Sequence, residues 1–245
     1  MLWTALQLEK ESPEKSDPMC YEKRLTEVYS QFVGYGDTCI DVGVHKGDHY
    51  RALKLQGAKV HGFEPCPTFL LDLPSMVQPL ALTSPGRPST LTFCEDLDRP
   101  GYSGLQHIAD PSREAHLRLF HEVPAMTLDD WIRAEVRMNG FRRIRFLKID
   151  TEGHDVDVLE GASWVISCDN PIIACEWFKE GYTAHGRKAE DLYDWAWDMG
   201  YTVGDLWGNL CESREEFLEV VDVSFWDWLL WPKWAVVAGL PGGLR

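Results

Sequence analysis

Three short stretches of the chain place ionisable side chains and glycines where a strand gives way to a helix. They are Asp41-Val42-Gly43-Val44-His45-Lys46-Gly47, Glu64-Pro65, and Lys148-Ile149-Asp150-Thr151-Glu152-Gly153-His154. Glycines allow backbone N–H groups to approach a ligand closely, and carboxylates at strand ends accept hydrogen bonds from ribose hydroxyls. These residue types predict a site for a nucleoside-containing ligand with acid–base groups beside it.

The first stretch has only two glycines, Gly43 and Gly47. It therefore matches neither the three-glycine dinucleotide loop nor the Gly-Lys-Ser/Thr ending of a phosphate-binding loop, and a plain strand-to-helix turn stays open. Glu64, however, follows the second predicted strand, 23 residues after Asp41. Nucleoside-binding folds place the carboxylate that accepts both ribose hydroxyls at this distance. The two features together predict a nucleoside-containing cofactor.

The third stretch carries Asp150, Glu152 and His154 within five residues. Helix capping is the alternative explanation for carboxylates at a helix start. His154 is our candidate general base, because its ordinary pKa is the nearest to neutral, although packing at the helix start would also explain it. Asp150, Glu152 and Glu176 could also offer oxygen ligands to Mg²⁺ or Ca²⁺, but their spacing matches no compact ligand loop, and we expect no metal.

Alternating strands and helices must position these residues. The apolar patterns predict strands at 38–42, 59–63, 77–82, 90–94, 144–149, 171–176, 201–207 and 225–231. They predict helices at 20–33, 47–55, 67–73, 127–138, 154–166 and 187–199. Such alternation is typical of an α/β fold with a mostly parallel sheet, helices on both faces and, here, an antiparallel last strand. Residues 1–19 are predicted to be a polar leader and residues 20–245 a single domain.

Composition narrows the classes of partner and compartment. A formal charge of −15 disfavours binding to nucleic acid, which depends on lysine and arginine. The seven cysteines form no CxxC pair and lie mostly in apolar runs, which favours reduced thiols and a cytoplasmic protein. No signal-peptide pattern and no run of about 18 apolar residues is present, so we expect no transmembrane segment.

Several motifs together resemble one known family. In order they are DVGVHKG, HGFEPCP, LALTSPGRPSTLTF, GYSGL, MTLDDWI, FLKIDTEGHDVDVLEGA and PIIACE, spanning about residues 37–176. This set resembles the FkbM-type family of S-adenosylmethionine-dependent methyltransferases. The resemblance implies a Rossmann-like class I methyltransferase fold with a seven-stranded sheet and a reversed last strand. It also implies O-methylation of sugars or other small hydroxylated acceptors, with S-adenosylhomocysteine as product.

The resemblance also implies roles for individual residues. Cofactor contacts are expected from Asp41, Gly43, His45, Gly47, Glu64, Pro65, Ala81 and Asp150. Catalytic roles are expected for Lys148, Asp150, Glu152 and His154. Apart from the resemblance, we expect acceptor contacts from Ser103, His107, Glu176 and Asn209, although His107 could equally be a loop histidine without a role. Asp155 departs from the family, where glutamate is more usual, and residues 177–245 are similar in architecture only.

Two other functions fit the sequence less well. A catalytically silent binding module would keep the fold and the cofactor, but it has no need of Asp150, Glu152 and His154 together. A nicotinamide-dependent oxidoreductase would use the three-glycine turn that the first loop lacks.

Overall fold

Nine strands form two sheets in this computed structural model, which describes residues 18–105, 117–139, 142–222 and 227–241. In chain order the strands are β1 (Thr38–Val42), β2 (Lys59–Phe63), β3 (Ala81–Leu82), β4 (Thr90–Asp96), β5 (Arg118–Met126), β6 (Ile144–Ile149), β7 (Ile172–Glu176), β8 (Tyr201–Gly204) and β9 (Asp227–Pro232).

Ten α-helices connect and cover the strands within the same described ranges. They are α1 (Pro18–Phe32), α2 (Asp48–Leu55), α3 (Pro67–Leu70), α4 (Leu128–Asn139), α5 (Asp155–Gly161), α6 (Ser163–Asp169), α7 (Lys179–Ala184), α8 (Asp191–Asp198), α9 (Arg214–Val220) and α10 (Lys233–Val237). The predicted helix 154–166 is thus two helices, and α7, α9 and α10 are not predicted. A 3-10 helix spans Pro100–Tyr102.

The main sheet has the strand order β2-β1-β6-β7-β9-β8. Strands β2, β1, β6 and β7 run parallel, and β9 runs antiparallel to both of its neighbours, β7 and β8. The predicted parallel sheet with a reversed last strand is therefore confirmed. Because the parallel strands share one carboxyl edge, the residues that follow β1, β2 and β6 meet there.

Seven strands were predicted for this sheet, but six are present in the part of the chain that the structure describes. Residues 77–82 were predicted to be a strand, but beside β2 only Gln78 forms an isolated parallel bridge, to Phe63. Pro79 follows, and the Leu80 N–H turns back to the Gln78 carbonyl at 2.9 Å. Proline has no backbone N–H to donate, so strand pairing stops at this point.

The chain instead builds a second sheet, with the order β3-β5-β4. Strand β5 was not predicted, because its exposed Leu119 and Phe120 break the apolar alternation and Pro124 argues against a strand. Strands β4 and β5 pair antiparallel from Thr90 opposite Pro124 to Asp96 opposite Arg118. This sheet lies over the carboxyl edge of the main sheet and contributes to the same cleft.

Apolar residues cover both faces of the main sheet. In β7, Ile173 and Cys175 belong to one buried cluster, and Ile172 and Ala174 belong to the other. This alternation buries both faces of a central strand, as in sheets flanked by helices. In the tryptophan-rich end of the chain, Trp228 belongs to the first of these clusters and Trp231 to the second, and both are fully buried.

Two further expectations can be compared with the described residues. No helix among them is long and apolar enough to cross a membrane. The six cysteines for which side chains are described are all unpaired thiols, namely Cys39, Cys66, Cys94, Cys168, Cys175 and Cys211.

Candidate active site

A cleft, partly open to solvent, lies between the carboxyl edge of the main sheet and the second sheet. Ligand sites of small molecules commonly have this position in an α/β sheet. Its walls are Val42, Gly43, His45, Phe63, Glu64, Pro65, Phe69, Leu80, Ala81, Leu82, Phe93, Pro100, Gly101, Ser103, Gly104, Leu105, Asp150, Thr151, Glu152 and His154.

Glu64 lies in this wall immediately after β2 and is 3 % exposed. Its Oε2 accepts the His45 N–H at 2.8 Å, and its Oε1 accepts the Cys66 N–H at 2.7 Å. Burial raises the pKa of Glu64 to about 7, although these hydrogen bonds oppose the rise. A carboxylate oxygen has two lone pairs, so each oxygen can accept one more hydrogen bond from a ligand.

The loop after β1 lies beside Glu64. His45 has a left-handed φ of 48°, and its ring contacts Phe69 edge-on with the centroids 4.6 Å apart. Gly43 has a φ of 78° and passes so close to β6 that a Cβ there would lie 1.8 Å from the Asp150 carbonyl oxygen. Only glycine fits this position, because any side chain would collide with the neighbouring backbone.

A buried lysine connects the ends of β1 and β6. Lys148 Nζ donates to the Gly43 carbonyl at 3.1 Å and lies 3.1 Å from Asp150 Oδ2 and 3.5 Å from Asp41 Oδ1. Although burial disfavours its charged form, the carboxylates of Asp150 and Asp41 raise the pKa of Lys148. Lys148 and Asp41 do not line the cleft, so they position its walls.

Asp150 is the partner of Lys148 that reaches the cleft, with a side chain that is 35 % exposed. Burial favours its protonated form, but the charge and the hydrogen bond of Lys148 outweigh this and lower the pKa of Asp150. Asp150 is therefore ionised at neutral pH and gives the cleft a fixed negative charge.

Further carboxylates surround Asp150. One carboxylate oxygen from each of Asp150, Glu152 and Glu176 lies within 4.8 Å of the others. Burial and the neighbouring carboxylates raise the pKa of Glu152 and of Glu176 well above ordinary values. Burial also raises the pKa of Asp155 and of Asp227 to about 7. The cluster can hold protons at neutral pH, and its three closest members could also hold a cation.

Backbone strain is concentrated at the cleft. Among the described residues, three that are not glycine have positive φ: His45, Glu152 and Asn170. Asn170 follows the end of α6, whereas His45 and Glu152 line the cleft. Strain of this kind costs about 1–3 kcal/mol and is common at functional sites. The φ of 56° at Glu152 thus places a strained residue in the wall of the cleft.

His154 also lines the cleft, but it is 3 % exposed and both of its ring nitrogens have partners. Nε2 lies 2.9 Å from Thr83 Oγ1, and Nδ1 lies 3.2 Å from His185 Nδ1. Burial lowers the pKa of His154 to about 3, even though Asp157 acts in the opposite direction. The imidazole is neutral at pH 7 and is a weak base.

The cleft collects most of the residues that the sequence predicted for the site. Those that line it are Gly43, His45, Glu64, Pro65, Ala81, Ser103, Asp150, Glu152 and His154. Four others surround it without lining it: Asp41, Gly47, Lys148 and Glu176. Asn209 lies in the loop after β8, where its Nδ2 donates to Asp205 Oδ2 at 2.7 Å. His107 lies outside the described residues.

The apolar lining of the cleft was not predicted from the sequence. Phe69, Leu80, Leu82, Phe93, Pro100 and Leu105 are the main additions. Leu105 is the last residue of the GYSGL motif and Pro100 directly precedes it, so this motif was a usable signal. Phe93 could not be assigned to the site, because the sequence predicts its strand at 90–94 but not that this strand lies over the cleft.

The family to which the chain belongs follows from its sequence motifs. A model of the methyltransferase FkbM domain matches residues 41–203, which include every element of the cleft. The chain belongs to the FkbM methyltransferase family. The resemblance that the sequence motifs indicated is therefore confirmed. No curated protein sequence is significantly similar to it.

Solved structures similar to this FkbM methyltransferase are distant. The methyltransferase FkbM from Methylobacillus flagellatus KT is 16 % identical with a TM-score of 0.47; the match covers 88 % of this chain and 50 % of that one. The present chain thus spans half of that protein. A SAM-dependent methyltransferase from Aquifex aeolicus is 14 % identical with a TM-score of 0.39, and the match covers 93 % of this chain and 97 % of the other.

The cleft of this FkbM methyltransferase suits the cofactor of its family. Glu64 has free lone pairs toward the cleft, Asp150 is ionised, and the backbone of the first loop is held open by Gly43. These groups match a ribose, a cationic centre and an amino acid end. Leu80, Ala81 and Leu82, together with Phe93 of β4, form an apolar wall that suits a flat base.

Proposed function

We propose that the cleft binds S-adenosylmethionine, with Glu64 accepting hydrogen bonds from the ribose hydroxyls. The position of Glu64 supports this, since it is buried in the wall directly after β2. Two backbone N–H groups already fix both of its oxygens, so the carboxylate is oriented before a ligand arrives. Such preorganisation reduces the entropy cost of binding.

The two ends of the cofactor have matching walls. Gly43 and His45 line the side where the amino acid end would lie, and the ionised Asp150 provides negative charge for the ammonium or sulfonium group. Leu80, Ala81 and Phe93 provide the apolar wall for the adenine.

We further propose that the acceptor is a small hydroxylated molecule such as a saccharide. Residues of the second sheet and of the 3-10 helix line the cleft and leave it only partly open to solvent, which favours a small acceptor. Ser103 and Glu152 line this side and offer hydrogen-bonding groups to a hydroxyl. Ser103 is fixed in place, since its Oγ accepts the Asp96 N–H at 3.0 Å.

The bound cofactor supplies an electrophilic methyl group on a sulfonium. A hydroxyl oxygen that attacks this methyl carbon must lose its proton, and we propose Glu152 as the base that takes it. Glu152 lines the cleft beside Asp150, and burial and the neighbouring carboxylates raise its pKa, which makes its ionised carboxylate a stronger proton acceptor. His154, the base predicted from sequence, has a pKa near 3 and no unpartnered ring nitrogen. His154 instead fixes Thr83 and His185 behind the site.

The observation that carries this proposal is the convergence of Glu64, Asp150 and the strained Glu152 on one cleft. The test is transfer of a labelled methyl group from S-adenosylmethionine to a panel of mono- and disaccharides, with the matching O-methylated sugars as blocked controls. We expect transfer to a free hydroxyl and none to the blocked position. Transfer to amines alone would contradict O-methylation, and failure to bind the cofactor would contradict the whole assignment.

A further inference from the structure

A second group of potential metal ligands lies outside the proposed active site. It consists of Cys66, Glu95 and His121, and one ligand atom of each lies within 4.8 Å of the others. Cys66 and Glu95 are buried, whereas the His121 side chain is 22 % exposed and faces the outer edge of the group. None of the three lines the cleft.

The second sheet brings these residues together. In the antiparallel register, Phe93 of β4 pairs with His121 of β5, and Glu95 pairs with Leu119. Glu95 and His121 are thus diagonal neighbours on one face of the sheet, and their side chains meet at 2.7 Å between Oε2 and Nε2. Cys66 precedes α3 and packs in the same cluster as Phe93, so its thiol is brought to this face.

We propose that Cys66, Glu95 and His121 bind one Zn²⁺, with a fourth coordination position left for water. The chemistry of the donors supports this choice. Sulfur, imidazole nitrogen and carboxylate oxygen are the three donor types that zinc accepts in proteins, and three protein ligands with one open position are common. Mg²⁺ and Ca²⁺ prefer oxygen ligands throughout, so the thiol argues against them.

The geometry requires only a small adjustment. Zn–S bonds of about 2.3 Å and Zn–N or Zn–O bonds of about 2.0–2.2 Å place tetrahedral ligand atoms roughly 3.3–3.7 Å apart. The present separation of 2.7 Å between Glu95 and His121 must therefore widen slightly, and the thiol must approach. Thr68 Oγ1 donates to Glu95 Oε2 at 3.0 Å and holds this carboxylate from behind, as outer partners do around metal ligands.

Binding of the metal would release a proton. Burial raises the pKa of the Cys66 thiol to about 11, so the thiol is protonated when no metal is bound. Zinc binds the thiolate, and the affinity should therefore rise with pH. The Cys66 N–H also donates to Glu64 Oε1 at 2.7 Å, so an occupied site would fix the backbone beside the proposed ribose acceptor.

The experiment uses the full chain, without cofactor, so that its outcome is independent of the proposed function. The protein is freed of metal with a chelator, the chelator is removed, and Co²⁺ is titrated as a spectroscopic substitute for zinc. We expect one equivalent to bind, with a thiolate-to-cobalt charge-transfer band and the visible bands of tetrahedral cobalt. Zn²⁺ should abolish both, and the cobalt affinity should increase between pH 6 and pH 8.

Three variants assign the site. Cys66→Ala and His121→Asn should each weaken Co²⁺ binding at least tenfold, and Cys66→Ala should remove the charge-transfer band. Cys94→Ala is the matched control, because Cys94 is a buried thiol next to Glu95 but on the alternate side of β4. Circular dichroism verifies that each variant is folded, and His121→Asn, at a half-buried position, tests the site even if Cys66→Ala does not fold.

Three results would overturn the proposal. These are no Co²⁺ or Zn²⁺ binding at micromolar concentrations, a cobalt spectrum without thiolate character, or equal binding by the parent, Cys66→Ala and His121→Asn. Any of them would leave Glu95 and His121 as a hydrogen-bonded pair beside a free thiol.

Discussion

A Cβ at Gly43 would lie 1.8 Å from the carbonyl oxygen of Asp150, so the loop after β1 touches the loop after β6 backbone to backbone. The Asp150 N–H donates to the Val42 carbonyl at 3.0 Å, which closes the same contact. The two loops that carry the proposed cofactor site are therefore one packed unit.

Gly43→Ala should destabilise the protein and weaken cofactor binding. Gly86→Ala is the control, since Gly86 has a similar φ of 80° against 78° but nothing within 4 Å of its added Cβ. Both variants incur the left-handed penalty of about 1–2 kcal/mol, and only Gly43→Ala adds a collision. In urea unfolding, Gly43→Ala should lower the free energy of unfolding by at least about 1 kcal/mol more than Gly86→Ala does. Equal losses would contradict the close contact.

Lys148→Met should destabilise the protein more than Gly43→Ala does. It leaves Asp41 buried without its cation, and breaking a buried pair in this way costs about 3–5 kcal/mol. Lys46→Met, on the exposed part of the same loop, should change little. Adding Asp41→Asn to Lys148→Met should recover part of the loss, as measured by a double-mutant cycle in urea. If the two substitutions are simply additive, Lys148 does not neutralise Asp41.

The carboxylate cluster predicts how stability depends on pH. Glu64, Asp155 and Asp227 have folded-state pKa values of about 7, above their ordinary values of 4.5, 3.8 and 3.8. The folded protein therefore binds their protons more tightly than the unfolded chain does. Their stabilising contribution is complete below about pH 4 and is lost as the pH rises through about 7.

Asp227→Asn should make stability depend less on pH. At pH 8 the free energy of unfolding of the variant should exceed that of the parent by on the order of 1–3 kcal/mol, because a neutral amide replaces a charge in the cluster. At pH 5 the difference should be much smaller. Asp72→Asn, an exposed carboxylate outside the cluster, is the control. Denaturation in urea at both pH values measures the effect, and identical slopes for parent and Asp227→Asn would refute it.

Much of this site could be predicted because strand ends are local features. The apolar runs before Asp41, Glu64 and Asp150 defined three parallel strands, and their shared edge brought the following residues together. The second sheet could not be predicted in the same way. Its existence depends on Pro79, which ends the pairing with β2, and on cross-strand contacts of β5 that have no apolar alternation. The role of His154 also escaped, because its burial is a property of the folded surroundings.

Glu152 and His154 are the two candidates for the general base. Glu152→Gln keeps the shape and removes the proton acceptor, so kcat should fall by about 10²–10⁴ with cofactor affinity unchanged. His154→Gln should keep kcat within about tenfold of the parent, per folded protein. The reverse pattern would restore His154 as the base. A rise of more than tenfold on adding Mg²⁺ would show instead that Asp150, Glu152 and Glu176 hold a cation.

The most direct test of Glu64 as the ribose acceptor is calorimetry. It measures how tightly S-adenosylmethionine binds to the parent, Glu64→Ala and Glu64→Gln. Hydrogen bonds to a charged group contribute about 1.5–3 kcal/mol each, so both variants should bind at least tenfold more weakly, a loss of about 1.4 kcal/mol. Glu122→Gln, at the Thr92 contact on the second sheet, is the control and should bind as the parent does. Thermal unfolding without cofactor verifies that the Glu64 variants are folded. Unchanged affinity in folded Glu64→Ala and Glu64→Gln would remove Glu64 from the ribose site and contradict the account.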